Sequence, residues 1–566
     1  MFLPTTWVEV ENRKWNTLDI ILVSGDSYID SPYIGAAVIG KYLLSFGFKV
    51  GIIAQPDYKS IEDIGRLGEP NLFWGVTGGC VDSMVANYTA LKKKRRTDDY
   101  TPGGINNRRP DRASIVYSNL IRRYSNTQNP NKRAKPIVLG GIEASLRRVA
   151  HYDYWSNRIR RSILFDAKAD YLLYGMAEQS TLEFANLLKS NKDPRMVRGL
   201  CFISKEKPTE YLEIPSYEEV ENNKEAFIDM FHQFYNNNDP ITSQGLVQAH
   251  GDRFLVQNRP HSYSSQADMD KIYSLNYEYK QHPYYSKEGS AKALDTIKFS
   301  ISTHRGCYGE CNFCAIAVHE GRTVRWRSKD SILTEAKTLT TVDGFKGYIH
   351  DVGGPTANMY GYECKKKILS GSCDDRRCLA PEICPVLKAD HTHYEQLLIE
   401  LRKIKGIKKV FIGSGLRYDL LASDHLHGTN LIAEISQHHV SGQLKIAPEH
   451  CDPFVLDKMG KPDHENLLWF KNKFDHFTRS AGKDQYLTYY FIAAHPGCSD
   501  HDMKALRKFT DSKLNIRPEQ VQIFTPTPST YSTLMYYTNK DPFTGEELFV
   551  ENDPKRKQKQ KDILVG

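Results

Sequence analysis

Three cysteines stand close together in the segment Gly306-Cys-Tyr-Gly-Glu-Cys-Asn-Phe-Cys314, separated by three residues and then by two. Three thiolates in one tight loop can hold three irons of a cubane and leave the fourth open to a substrate. An electron-transfer cluster of the usual kind takes four protein cysteines. The alternative is zinc on the same thiolates of Cys307, Cys311 and Cys314, with His304 or His319 as the fourth ligand. Phe313 just before the last cysteine, and a strand end just before the first, favour iron and sulfide.

A second group, Cys364, Cys373, Cys378 and Cys384, has gaps of eight, four and five residues. Four thiolates in a segment too polar to be core fit a tetrahedral zinc or an auxiliary iron–sulfur cluster, and their spacing does not choose between the two. Seven of the eleven cysteines thus fall between 307 and 384, which dispersed core thiols would not do. Further polar residues follow apolar runs: Gly353 and Gly354, Ser414 and Arg417, then Glu449 with His450. Arg417 can pair a carboxylate in a bidentate fork, and an Arg417–Glu449 ion pair is the structural alternative.

These residues need elements to position them. Short apolar runs at 19–24, 49–54, 136–139 and 170–174 predict buried strands. Residues 34–46 have the spacing of a helix ended by Gly47. Such alternation implies an α/β, doubly wound, Rossmann-like sheet over residues 1–190. Residues 191–292 are more polar and read as a connecting region. From 293 to 560, six strand-like runs (297–303, 347–351, 410–414, 444–447, 487–493, 521–524) alternate with helical spacing, as in Ile332, Ala336 and Leu339. This predicts a partial (β/α)6 barrel of the TIM type, with its chemistry in the loops after the strands and 364–384 as an insertion. Residues 561–566 read as a tail.

The net charge of +8, from 76 basic and 68 acidic residues, is too small for this length to imply nucleic acid. The run 92–96, with Arg108, Arg109 and Arg112, could meet phosphates, but such a run is more often a solvated face. No stretch approaches a membrane span and no signal peptide is evident, so a cytoplasmic protein is expected.

The segments Gly75-Val-Thr-Gly-Gly-Cys80, Tyr100-Thr-Pro-Gly-Gly104, His151-Tyr-Asp-Tyr-Trp155, the triplet, and His350-Asp-Val-Gly-Gly-Pro-Thr-Ala-Asn358 span most of the chain. Through them it resembles the radical S-adenosylmethionine (SAM) superfamily, and within it the YgiQ-like family. The resemblance implies a [4Fe-4S] cluster on the triplet and SAM on its open iron, with reductive cleavage to a 5′-deoxyadenosyl radical. It also implies a reductant such as flavodoxin or ferredoxin. The superfamily's Gly-Gly-Glu has Pro355 in place of the acid, which leaves backbone carbonyls near Gly353 and Gly354 for the methionine amine. Ser414, Arg417 and Glu449 then look like contacts to the methionine carboxylate and ribose. The resemblance fixes the cofactor and names no substrate.

The N-terminal sheet resembles a cobalamin-binding domain. Its Asp30-Ser-Pro32-Tyr-Ile-Gly35 turn has proline where cobalamin proteins of the base-off type supply a histidine, so cobalamin is not expected. A methylthiotransferase would carry an OB-like module after the sixth strand, and because the sequence runs only about forty residues past it, tRNA methylthiolation is not the expected reaction. The competing function is a non-enzymatic iron–sulfur or zinc protein that binds nucleic acid through 92–96 and the four-cysteine segment. That reading leaves the triplet without a purpose.

Overall fold

Ile20–Ser24 (β1) is buried along its whole length, as a strand covered on both faces must be. In the computed structural model, which describes residues 1–128 and 134–566, it lies inside a nine-stranded sheet. The chain divides into two units, Met1–Tyr263 with Lys271–Lys298, and Ser264–Asp270 with Phe299–Gly566.

In the first unit, helix Gly35–Ser45 (α1) ends before Gly47, whose φ of +85° suits glycine. Val50–Ala54 (β2), Phe73–Thr77 (β3), Ile137–Gly140 (β4) and Tyr171–Leu173 (β5) follow. Helix Glu178–Lys189 (α2) packs on α1. Then come Leu200–Ser204 (β6), Leu212–Ile214 (β7), Leu246–His250 (β8) and Arg253–Gln257 (β9). The strand order is β7-β8-β9-β6-β5-β4-β3-β1-β2. Neighbours from β2 to β5 run parallel, β5, β6, β9 and β8 pair antiparallel in turn, and β7 joins β8 in parallel. The edge strand β2 is covered by the start of the chain. Ile52 N–H donates to the Pro4 carbonyl at 3.0 Å, and the Thr5 hydroxyl donates to the Ile52 carbonyl at 2.7 Å.

Two expectations change here. Residues 191–292 are not only a connection, because β6 to β9 complete the main sheet. The polar composition of the loops between them hides runs such as Leu-Cys-Phe-Ile. Strand β3 also goes unread as a strand, because its last three residues run into the glycine-rich segment 75–80. Of the basic residues, Arg109 is buried, donating to Asp26 at 2.7 Å and the Gly78 carbonyl at 2.8 Å and pairing Asp98 at 3.0 Å. Arg108 pairs with Glu288 and Arg112 with Asp153, so these three arginines already have carboxylate partners.

In the second unit the chain enters through Ser300–Ser302 (β10) and His304–Arg305 (β11). There follow Arg325–Trp326 (β12), helix Lys329–Leu339 (α3), Tyr348–Ile349 (β13), Asp351–Gly353 (β14), Lys365–Ser370 (α4) and Thr392–Leu401 (α5). Next are Lys409–Val410 (β15), Tyr418–Ser423 (α6), Gln443–Glu449 (β16), Pro453–Met459 (α7), Tyr486–Ala493 (β17), Gln520–Ile523 (β18), Tyr531–Thr538 (α8) and Pro554–Val565 (α9). β10 pairs β14, β13 pairs β15, β16 pairs β17 and β17 pairs β18, all in parallel. A single parallel bridge links Leu416 to Ile446.

The run expected as a strand at 410–414 shortens to two residues. The Gly413 and Ser414 N–H groups leave the ladder for the Asp351 carboxylate, at 2.7 and 2.9 Å. The expected tail at 561–566 belongs instead to α9, which buries Leu564 and Gln560. The Gln560 side chain accepts from Ala494 N–H at 2.9 Å and donates to the Cys498 carbonyl at 3.1 Å.

Candidate functional site

The triplet loop leaves β11 through Gly306, whose φ is +83° and whose Cβ, if it had one, would meet the Thr323 carbonyl at 2.4 Å. Only glycine passes there. The loop is then pinned at both ends. Cys307 N–H donates to the Gly321 carbonyl at 3.1 Å, and Asn312 donates to the last two carbonyls of α7, its N–H to Met459 and its side chain to Lys458, each at 2.8 Å. Ser532 N–H, in the first turn of α8, reaches the Asn312 carbonyl at 2.9 Å.

The three thiols are neighbours. A Cβ on Gly309 would lie 3.2 Å from Cys307 Sγ, 3.3 Å from Arg417 Nη1 and 3.9 Å from Cys311 Sγ. Arg417 Nη1 donates to Cys311 Sγ at 3.7 Å. Burial and the adjacent Cys311 sulfur push the Cys307 thiol up to about 11, and burial with both neighbouring sulfurs raises Cys314 further. Three thiolates this close repel one another unless a cation sits among them, and that is the donor chemistry of a metal centre. Among the described residues, neither cysteine group draws three ligand atoms onto one point.

The other residues singled out in the sequence lie where parallel strands end, with partners the sequence does not reveal. The Gly353 carbonyl accepts from Thr303 N–H at 2.7 Å and from the Thr303 hydroxyl at 3.1 Å. Both lone pairs are therefore occupied, and this carbonyl is not free to receive an amine. The two glycines instead permit close packing. A Cβ would meet Ser414 Oγ at 2.7 Å from Gly353 and the His304 ring at 2.7 Å from Gly354. Ser414 Oγ is bound to Asp351.

Arg417 and Glu449 do not pair with each other. Arg417 is forked onto Asp419, with Nε to Oδ1 at 2.8 Å, while Glu449 lies 3.6 Å from Lys461. Only Nη1 of Arg417 remains toward the thiols. Asn358 clamps the Arg417 backbone, accepting its N–H at 2.9 Å and donating to its carbonyl at 3.0 Å. Burial raises the Glu449 carboxyl against the pull of Lys461, and Glu449 holds a left-handed φ of +68°. His450 Nε2 lies 3.8 Å from Cys498 Sγ.

In the second group Cys364 is buried ahead of α4. Lys367 Nζ reaches Cys378 Sγ at 3.6 Å and Glu363 at 3.5 Å, and Arg376 Nη1 reaches Cys384 Sγ at 3.7 Å. Burial pushes Cys378 up to about 12 against the pull of Lys367. Cys384 is held below the usual thiol range despite burial, by the Val386 N–H, Arg376 and the Leu387 N–H. Sequence reasoning missed Asp351, Asn358, Asp419, Lys461 and Lys367. Asp419 carried a signal in standing two residues from Arg417, and Asn358 in closing a quoted motif.

Residues 2–300 match the family model described as Radical SAM N-terminal. A UPF0313 protein of Fusobacterium nucleatum is 56% identical over 564 residues, covering 100% of this chain and 98% of that one. One of Thermotoga maritima is 48% identical over 568 residues, again 100% and 98%. Among solved structures, the cobalamin-dependent SAM radical enzyme OxsB, with aqua-cobalamin and SAM bound, is similar in fold at a TM-score of 0.50. It is 11% identical and covers 95% of this chain and 58% of that one. The TsrM methyltransferase of Kitasatospora setae, with cobalamin and a [4Fe-4S] cluster, gives a TM-score of 0.49 at 14% identity, over 91% and 77%.

The expectation against cobalamin is corrected by the OxsB neighbour, which is solved with that cofactor bound. It rested on Pro32 alone, and the lack of an imidazole in one turn speaks only to ligation of cobalt, not to whether a fold of this kind carries a corrin. Matched by the family model over half its length, and by UPF0313 relatives from end to end, the chain belongs to the UPF0313 family and is a radical SAM enzyme.

Proposed function

We propose that Cys307, Cys311 and Cys314 hold a [4Fe-4S] cluster with one iron left for SAM. The observation that carries this reading is one pinned loop that brings the Cys307 and Cys311 sulfurs together, with Cys314 near enough to be raised by both, and a guanidinium edge, Arg417 Nη1, facing them. When bound, the cluster supplies the electron that splits the sulfonium of SAM to a 5′-deoxyadenosyl radical. The chain's own part is placement. Asp419 and Asn358 hold Arg417, whose Nη1 edge, turned to Cys311 Sγ, would meet a sulfide or a carboxylate. Gly353 and Gly354 keep the turn after β14 thin, and Ser414 and Glu449 stand at neighbouring strand ends. The alternating strands and helices of the second unit read as a partial parallel barrel, and the first as a Rossmann-like sheet. The parallel pairings support both. Cys364, Cys373, Cys378 and Cys384 would hold a separate zinc ion or auxiliary cluster, supported by the cations beside Cys378 and Cys384. A small electron carrier such as flavodoxin or ferredoxin fits as the reductant.

Replacing Cys307, Cys311 or Cys314 by alanine in anaerobically reconstituted protein is expected to abolish 5′-deoxyadenosine formation from SAM. Normal cleavage in any one variant would refute the assignment.

A further inference from the structure

Glu310, between the first two cysteines of the triplet, is a non-glycine residue at φ +46°. A left-handed residue of this kind persists only where its surroundings enforce it. Two arginines do so here. Arg322 Nη1 lies 3.4 Å from the Glu310 carboxylate, and Arg377 Nη1 donates to the Glu310 carbonyl at 3.1 Å. Arg377 belongs to the four-cysteine segment and immediately precedes Cys378. Its guanidinium is itself fixed, lying 5.2 Å from the Tyr531 ring centre and 5.4 Å from that of Phe543. It has room because residue 460 is glycine, where a Cβ would come within 2.4 Å of Nη1. A second contact joins the same two segments. Tyr308 is fully buried in an apolar cluster with Cys364, Leu379 and Leu387, and Cys307, Cys378 and Cys384 pack against that cluster.

We propose that Arg377 is a positioning residue for the triplet, holding the strained turn at Glu310 so that the state of the four-cysteine segment governs how firmly the triplet keeps its cluster. The inference rests on the proposed cluster at Cys307, Cys311 and Cys314. With Arg377 gone, the turn relaxes toward ordinary φ values and Cys311, the next residue, moves with it. An order set by the four thiols would thereby reach the catalytic loop without any shared ligand.

The test uses the full chain, reconstituted anaerobically, and follows iron retained against a ferrous chelator, the electron paramagnetic resonance signal of the reduced cluster with and without SAM, and 5′-deoxyadenosine formation. Arg377→Ala is expected to lose iron and activity by roughly tenfold or more, as supporting residues of metal sites do. Adding Glu310→Gly is expected to restore part of both, because glycine takes the left-handed turn without strain even though it gives up the Arg322 contact. An unfolded protein could not give that rescue. Cys373→Ser with Cys384→Ser is expected to reproduce the Arg377→Ala loss. Iron retention at the wild-type rate in Arg377→Ala, or a defect that Glu310→Gly leaves undiminished, overturns the positioning role. Unchanged retention in the double serine variant overturns the link to the four-cysteine segment. Wild-type protein that takes up no cluster overturns the reading on which the inference rests.

Discussion

At the scale of single residues, Arg417 shows how little a side chain's type says about its availability. A guanidinium among thiols invites assignment to an incoming carboxylate, but its Nε edge already belongs to Asp419, and both side chains are almost wholly buried. Removing one partner of a buried pair leaves the other charge uncompensated, which typically costs about 3 to 5 kcal/mol. Asp419→Asn is therefore expected to lower unfolding stability by about that amount in urea titration. An unchanged midpoint would mean that Arg417 has another anion within reach. The triplet itself was legible in sequence because spacing alone brings sulfurs of one short loop together. The saturated Gly353 carbonyl was not, since its donor Thr303 stands fifty residues away.

At the scale of elements, the strands most easily read were those buried on both faces, such as β1 and β2, because they are continuous apolar runs. The least legible element was α9. Its sequence, Pro-Lys-Arg-Lys-Gln-Lys-Gln-Lys-Asp-Ile-Leu-Val, has the composition of a solvated tail, but Gln560 and Leu564 share one face four residues apart and are fully buried. Gln560 closes the turn between Ala494 and Cys498 with two hydrogen bonds. Gln560→Ala leaves a buried N–H and a buried carbonyl without these partners. It is expected to cost about 1 to 3 kcal/mol, read as a lower denaturation midpoint, whereas a lysine change on the exposed side of α9, such as Lys559→Ala, should change little.

At the scale of the whole molecule, acid sensitivity follows from imidazoles folded in their neutral form. Burial holds His151 and His250 down to about 3, well below the ordinary histidine value near 6.5. Between those values the unfolded chain binds protons that the folded chain does not. Stability should therefore be fully present above pH 6.5 and fall as the pH drops toward 3, by up to about 1.4 kcal/mol per pH unit for each residue. Replacing both by glutamine should lessen, without abolishing, the slope of stability between pH 4 and 6 in chemical denaturation, because burial holds His304 and His495 equally low, and an unaltered slope would show that other groups carry it. The five residues that open the chain have a different consequence. By taking up the N–H and carbonyl of Ile52 in β2, Pro4 and Thr5 cover part of the flank of the sheet at which another polypeptide could add a strand. Covering an edge strand in this way acts against strand addition by a neighbouring chain rather than in chemistry.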